Sequence, residues 1–264
     1  MKTLIFTLLL LANALLGGGE VAVLNGLAHE FNVTPGSTYQ GRIELQNASD
    51  SAQVVTLYQS DMSTLFTGET FYTDSLENNR SNKKWIKLSN SNATIESEEK
   101  RSIEFEIIVP MSDSLFGTYW SVIMVEPRDP IHIQKDESGY NIQSKVRYAI
   151  QIICNIGETG TTDLKFVNIS QEKYDDKHFL EIDIENTGQI LISPTLSLEL
   201  FNEEGNSLPI IKSEKQRIFP QSSKKIILNL LDIKPGVYQG ILIADCATDD
   251  LFGVNITLHL KDDG

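Results

Sequence analysis

Residues Gly139–Ile156, GYNIQSKVRYAIQIICNI, constrain the fold most, because no other run in the chain is as long and as strand-like. The even positions Tyr140, Ile142, Val146, Tyr148, Ile150 and Ile152 are mostly apolar, whereas Lys145, Arg147 and Gln151 fall on the opposite face. A period of two over this length predicts one long β-strand with a single buried side. The strand ends where the first half of the chain gives way to the second. A long terminal strand lies readily at a sheet edge, and an edge is where another chain can add on.

The same alternation recurs along the chain. Glu20–Val33 reads as a first strand interrupted at Asn25-Gly26, so that one strand serves two sheets. Thr38–Asn47, Gln53–Gln59 and Arg101–Val109 alternate or are rich in β-branched residues, and Gly117–Glu126 is apolar on both faces, as a central strand is. Asp61–Lys84 breaks the rhythm and reads as a long polar insertion. Gly157–Thr162 is the best linker candidate. Beyond it Leu180–Asn186, Leu196–Leu200, Lys225–Leu231, Gly236–Asp245 and Val254–Leu260 repeat the pattern.

The two halves are related. IELQNAS at Ile43–Ser49 matches IDIENTG at Ile182–Gly188, and GTYWSVIMVE at Gly117–Glu126 matches GVYQGILIAD at Gly236–Asp245. The spacing between the paired motifs is longer in the first copy by about the length of the Asp61–Lys84 insertion. Short, regularly spaced strands, no helical period and a duplication predict an all-β chain of two tandem immunoglobulin-like β-sandwiches, with roughly seven strands each. The expected divisions are residues 1–16, a signal peptide; 20–156, a first sandwich with the insertion at 61–84; 157–162, a linker; and 163–264, a second sandwich.

The signal reading rests on Lys2, the apolar run Leu4–Ala12 and Ala12-Asn13-Ala14, which resembles a cleavage site. The run is well short of the roughly 20 apolar residues that a spanning helix needs, so no stable membrane insertion of the mature chain is expected. Export to the periplasm or cell envelope of a bacterium follows. The formal charge of −14 argues against nucleic acid as a partner. Arg80, Lys83, Lys84 and Lys87 form a locally basic stretch, read as a solvated loop.

Chemistry is sparse. The four histidines are scattered without ligand spacing, and no nucleophile elbow, phosphate loop or calcium loop is present, so the reading is non-enzymatic, with no cofactor and no metal. Two cysteines remain. In tandem sandwiches the start of a domain lies at the same end as the turn between its last two strands, which brings Cys154 and Cys246 within reach of a disulfide clamping the hinge. Two separate buried thiols are the equal alternative.

The signal-like start, two sandwiches, the Pro35-Gly36 turn, the alternating strand ending at Asn47, Trp85-Ile86-Lys87-Leu88-Ser89 and Gly117–Glu126 together resemble periplasmic pilus-assembly chaperones. They also resemble the two-domain exported proteins of Gram-positive surfaces that accompany cell-wall-binding partners. The chaperone resemblance implies a protein partner, a surface or pilus-type subunit, held by strand addition at the last strand of domain one. The matching residues here are Tyr140, Ile142 and Val146 for the apolar row and Arg147 or Lys145 for the basic anchor of a carboxylate. Those chaperones also carry a basic residue on the first strand, and here no Lys or Arg occurs between Lys2 and Arg42. The alternative is a structural or wall-associated module that binds cell-wall glycan or a surface protein through Asp61–Lys84.

Overall fold

The computed structural model describes residues 21–260, apart from 66, 68, 74–77, 129–131, 136–140, 145, 175–176, 232 and 249. The expected signal segment, Tyr140 and Lys145 therefore lie outside the described residues. The early strands are β1 (Val21–Val23), β2 (Ala28–Val33), β3 (Thr38–Asn47), β4 (Gln53–Ser60), β5 (Met62–Thr64) and β6 (Thr70–Tyr72). After a single 3-10 turn at Lys83–Trp85 come β7 (Ile86–Leu88), β8 (Asn92–Ile95), β9 (Lys100–Ile108) and β10 (Gly117–Pro127). β11 (His132–Lys135), β12 (Asn141–Ser144) and β13 (Tyr148–Ile156) end the first half. The second contains β14 (Lys165–Tyr174), β15 (Lys177–Glu185), β16 (Thr195–Phe201), β17 (Ile211–Lys212), β18 (Ser223–Asn229), β19 (Gly236–Asp245) and β20 (Leu251–Leu260).

These strands build two immunoglobulin-like sandwiches. In the first, the sheet β1-β3-β9-β7 faces the sheet β2-β13-β10-β4-β8; in the second, β14-β15-β18 faces β17-β16-β19-β20. Each sandwich has its own core, because alternate residues of every strand point inward. Ile43, Leu45, Ile103, Phe105 and Ile107 meet Val55, Leu57, Ile123, Val125, Ile150 and Ile152 in the first. Leu180, Ile182, Ile184, Ile226 and Leu228 meet Leu196, Leu198, Leu200, Leu242 and Ala244 in the second.

The duplication read from the sequence has a concrete structural counterpart in Asn47 and Asn186, both fully buried. Asn47 Nδ2 donates to the carbonyls of Ser51 (2.7 Å) and Ile95 (3.1 Å), while its Oδ1 accepts from the Ser49 amide (3.0 Å). Asn186 Nδ2 donates to the carbonyls of Ile190 (2.8 Å) and Ile218 (2.9 Å), while its Oδ1 accepts from the Gly188 amide (2.9 Å). Each amide thus closes the turn after its strand and ties it to a distant segment. Buried main-chain groups must be paired, and one carboxamide supplies both donor and acceptor.

The first strand divides as its Asn25-Gly26 dipeptide suggests. β1 pairs antiparallel with β3 in one sheet, and β2 pairs parallel with β13 in the other. Gly26 makes the crossing at φ +86°, a conformation that glycine adopts without strain.

Three sequence expectations change. Gly139–Ile156 is not one strand: β12 pairs with β11 in a separate two-stranded hairpin, and only β13 enters the main sheet. An alternating apolar pattern fits either arrangement, since both are extended chain. The Cys154–Cys246 bridge is not formed. Both thiols are free, because Cys154 is buried in the first core and Cys246 in the second. Burial raises the Cys154 thiol to about 12, with an Asn82 hydrogen bond opposing, and raises Cys246 to about 11, with Asp245 and Asp250 adding to the effect.

The basic stretch is only partly a solvated loop. Arg80 is buried, donates to the Phe116 carbonyl (2.9 Å) and lies over the rings of Phe116 and Tyr119. Asn82, fully buried, donates to the carbonyls of Ile152 (3.0 Å) and Tyr119 (3.3 Å) and to Cys154 Sγ (3.2 Å), and accepts from Ser121 Oγ (2.5 Å). The end of the insertion is therefore stapled to β10 and β13.

Candidate interdomain cleft and strand edge

β10 and β13 present two different faces. One faces the first core; the other carries Trp120, Val122, Met124, Ile153 and the half-buried Ala149, and packs against Phe219 and Leu191 of the second sandwich. The Trp120 and Phe219 rings stack with centroids 4.8 Å apart, and Trp120 Nε1 donates to the Met62 carbonyl (3.0 Å). This explains why Gly117–Glu126 is apolar on both faces: one side serves the core and the other serves the joint between domains.

Main-chain contacts fix the joint. The Thr118 amide donates to the Gln189 carbonyl (2.9 Å), and the Leu191 amide donates to Thr118 Oγ1 (2.9 Å). Gly117 sits at φ +67°, and a Cβ there would fall 2.1 Å from the Gln189 carbonyl oxygen, so only glycine fits. The expected linker is also pinned: the Gly157 amide donates to Val33 O, and Thr159 Oγ1 accepts from the Gly117 amide (3.0 Å).

Beside the joint lies a cleft of about 210 Å³. Met62, Thr64, Thr70 and Tyr72 of the β5–β6 hairpin form one wall, Gln151 of β13 lines it, and Arg217, Phe219, Ser222 and Lys224 of the second sandwich form the other wall. Neither Arg217 nor Lys224 has a carboxylate partner among the described residues. Two cations in one cleft of an acidic protein favour an anionic group there. No local pattern marks these residues, since they are brought to β13 only by the packing of two domains.

The edge of β13 is only partly covered. β2 pairs with Gln151–Ile156, beginning with the Gln151 amide donating to Leu27 O (2.9 Å). Because alternate residues direct both main-chain groups to the same side, Ala149 points its N–H and C=O outward like Gln151. No main-chain partner meets Ala149 on that side among the described residues. Tyr148, next to it, donates from its hydroxyl to Val21 O (2.7 Å), and burial raises the phenol above its ordinary value.

The expected partner-binding residues fall just before this opening. Val146 is half-buried and Arg147 exposed in the segment that leads into β13, and Ile142 lies in β12, in register with Gln134 of β11. No group of three His, Cys, Asp or Glu residues is arranged to hold a metal among the described residues. No helix among them is long and apolar enough to cross a membrane.

No protein-family model and no curated protein matches the sequence. Several solved structures are similar in fold. A chaperone–tip adhesin complex of CFA/I fimbriae biogenesis shares 13% identity, covering 90% of this chain and 97% of that one, with a TM-score of 0.47. The class 5 fimbriae chaperone CfaA shares 12% over 90% of this chain and 98% of its own, at 0.46. The E. coli chaperone DraB shares 11% over 90% and 98%, at 0.44.

Proposed function

We propose that this chain is an exported, non-enzymatic, chaperone-like protein that holds a protein partner by strand addition to the first sandwich. The observation that carries the reading is the incomplete cover of β13: β2 stops at Gln151, and the outward main-chain groups of Ala149 stay open. A partner strand entering there would pair with Tyr148–Ile150 and continue past Val146 and Arg147 towards Ile142. Main-chain pairing supplies affinity, and every second side chain supplies selectivity. A carboxylate on the partner suits Arg217 and Lys224 in the adjoining cleft, with Arg147, just before β13, as a further cation, and Lys145 as the alternative anchor expected from the sequence. The solved fimbrial chaperones that resemble this fold include one in complex with a tip adhesin, which agrees in kind with a pilus-type subunit as partner.

The test is co-purification from the native cell envelope. Ala149→Pro removes the outward donor without touching the ladder to β10, and R217E with K224E inverts the cleft charge. A stoichiometric partner that is retained by the parent, lost with Ala149→Pro and weakened by the charge reversal supports the reading. A partner retained at full yield by the folded Ala149→Pro variant refutes it.

A second reading has its own observation. Leu65, Phe71 and Tyr72 on the β5–β6 hairpin are exposed, and exposed aromatic rings suit stacking on the sugar rings of a wall glycan. Leu65→Ala with Phe71→Ala, which leaves the cleft wall at Tyr72 intact, should then abolish sedimentation with cell wall while leaving the protein partner bound.

A further inference from the structure

Sheet edges are normally protected against association by charge, proline, bulges or brevity. Most edges here follow that rule. β1, β7 and β8 are three or four residues long and β17 has two. β2 carries Glu30; β18 carries Lys224 and Lys225; β14 carries Lys165, Glu172 and Lys173 and has a register shift between Phe166 and Asn168.

β20 departs from it. It is ten residues long, ends the sheet β17-β16-β19-β20, pairs with β19 in unbroken register and contains no Asp, Glu, Lys, Arg or Pro from Leu251 to Leu260. In a chain of formal charge −14 a neutral strand of this length is a pronounced local exception.

The hydrogen bonds show which part of the edge is open. Gln171 of β14 pairs with His259 through both main-chain groups: its Nε2 donates to the His259 carbonyl (3.0 Å), and its Oε1 accepts from the His259 amide (3.3 Å). The carboxamide thus stands in for a neighbouring strand and ends the open stretch. It also shows that the odd-numbered residues of β20 direct their main-chain groups away from β19. Leu251, Gly253, Asn255 and Thr257 have no such partner among the described residues. The side chains of Leu251, Asn255 and Thr257 are exposed, Leu251 at 67%. The inward row Phe252, Val254 and Ile256 is only half-buried and packs on the second core.

We infer that β20 is a homodimerisation edge, at which two copies of this chain join their second sandwiches into one continuous antiparallel sheet about a two-fold axis at Val254. The occupant is a second copy because the open stretch is self-complementary. A two-fold axis at Val254 sets Leu251 opposite Thr257 and Gly253 opposite Asn255 in both directions. Every open group is used, which gives about eight hydrogen bonds at two per pair, and His259 remains with Gln171. Asp250 falls opposite Leu258 of the other copy, so the acidic flank meets no acid directly across. The half-buried rows of the two copies become continuous across the seam. This surface lies on the second sandwich and is separate from the β13 edge, so it stands whether or not a partner binds there.

Sedimentation velocity of the purified protein across the micromolar range tests the inference, with circular dichroism as the check on folding. The parent should shift from monomer to dimer mass with concentration. Asn255→Pro removes an outward amide that no intrachain bond uses, and its ring obstructs the incoming strand. It should keep the spectrum and raise the dissociation constant about a hundredfold. Thr257→Pro does the same at a second position should the first substitution disturb the strand. A monomeric parent at all concentrations, or a dimer undiminished in the folded proline variants, overturns the inference. The register has its own test: mixed chains carrying Gly253→Cys and Asn255→Cys should cross-link on mild oxidation, as the two positions lie about 5.5 Å apart across the seam. Chains carrying Gly253→Cys mixed with Thr257→Cys should cross-link far less, and equal yields would refute the register.

Discussion

Replacing Asn186 by alanine should selectively destabilise the second sandwich. The substitution removes two donated bonds, to Ile190 O and Ile218 O, and one accepted bond, from the Gly188 amide. Asn186 is fully buried, so water does not readily replace the lost partners. At about 1 kcal/mol net for each bond the loss is about 3 kcal/mol, a large share of the 5–15 kcal/mol typical of a domain. With a urea dependence of about 1–1.5 kcal/mol/M, the midpoint should fall by about 2–3 M at constant slope. Asn186→Asp sharpens the test, because it keeps the acceptor for Gly188 but turns a carboxylate oxygen toward two carbonyl oxygens. At neutral pH it should be worse than alanine, and acidification should recover part of the loss. Trp85 lies in the first core, whereas Trp120 stacks on Phe219 across the joint, so in a Trp120→Phe background the remaining Trp85 fluorescence follows the first sandwich while circular dichroism follows both. Asn186→Ala should move a circular dichroism transition ahead of the Trp85 signal, whereas Asn47→Ala should move the fluorescence transition itself. A loss below about 1 kcal/mol in both variants would refute the claim that these amides close the two sandwiches.

Gly117→Ala should loosen the joint between domains, since its Cβ meets the Gln189 carbonyl at 2.1 Å; small-angle scattering should show a broader particle with both sandwiches still folded. Cys154 and Cys246 should resist alkylation in the native protein at mildly alkaline pH and react together in denaturant, because burial holds both thiols protonated. On the outer face of β15, Lys225 donates to Glu181 and Tyr174 donates to the same carboxylate (3.0 Å). Lys225 foremost holds the Glu181 carboxyl below its ordinary range, against the opposing effect of burial, and the Tyr174 hydrogen bond adds a smaller lowering. A depressed folded-state value adds stability at pH above the ordinary glutamate range, and that stability is lost as pH falls through the depressed value. Acid titration of the second sandwich should show this loss, and Lys225→Met should remove most of it.

Much of the architecture is legible in the residues because burial is periodic. The strict alternation of Leu180–Asn186 and Thr38–Asn47 marks which side chains face the core, and the shared Asn at the end of each exposes the duplication. Asn25-Gly26 reveals the change of sheet, because only a turn-forming pair interrupts that strand. The break inside Gly139–Ile156 is not legible, since a hairpin arm and a sheet strand share the same period. Arg80 and Asn82 mislead for another reason: polar residues in an insertion read as solvated, and their burial depends on β10 and β13 lying beneath them. The cleft of Arg217 and Lys224 is a property of two packed domains, and neither residue carries a local signal.

The parallel pairing of β2 with β13 also has a temporal consequence. Ala28–Val33 finds its partner only in Gln151–Ile156, at the far end of the first half, so this contact is among the least local in the domain. A chain that emerges N-terminus first holds its opening strand without that mate until the whole first half is out. Loop-closure entropy makes such distant pairing slow. β2 therefore stays unpaired longest during synthesis, and its docking on β13, which closes the first sandwich, should be the late step of that domain's folding.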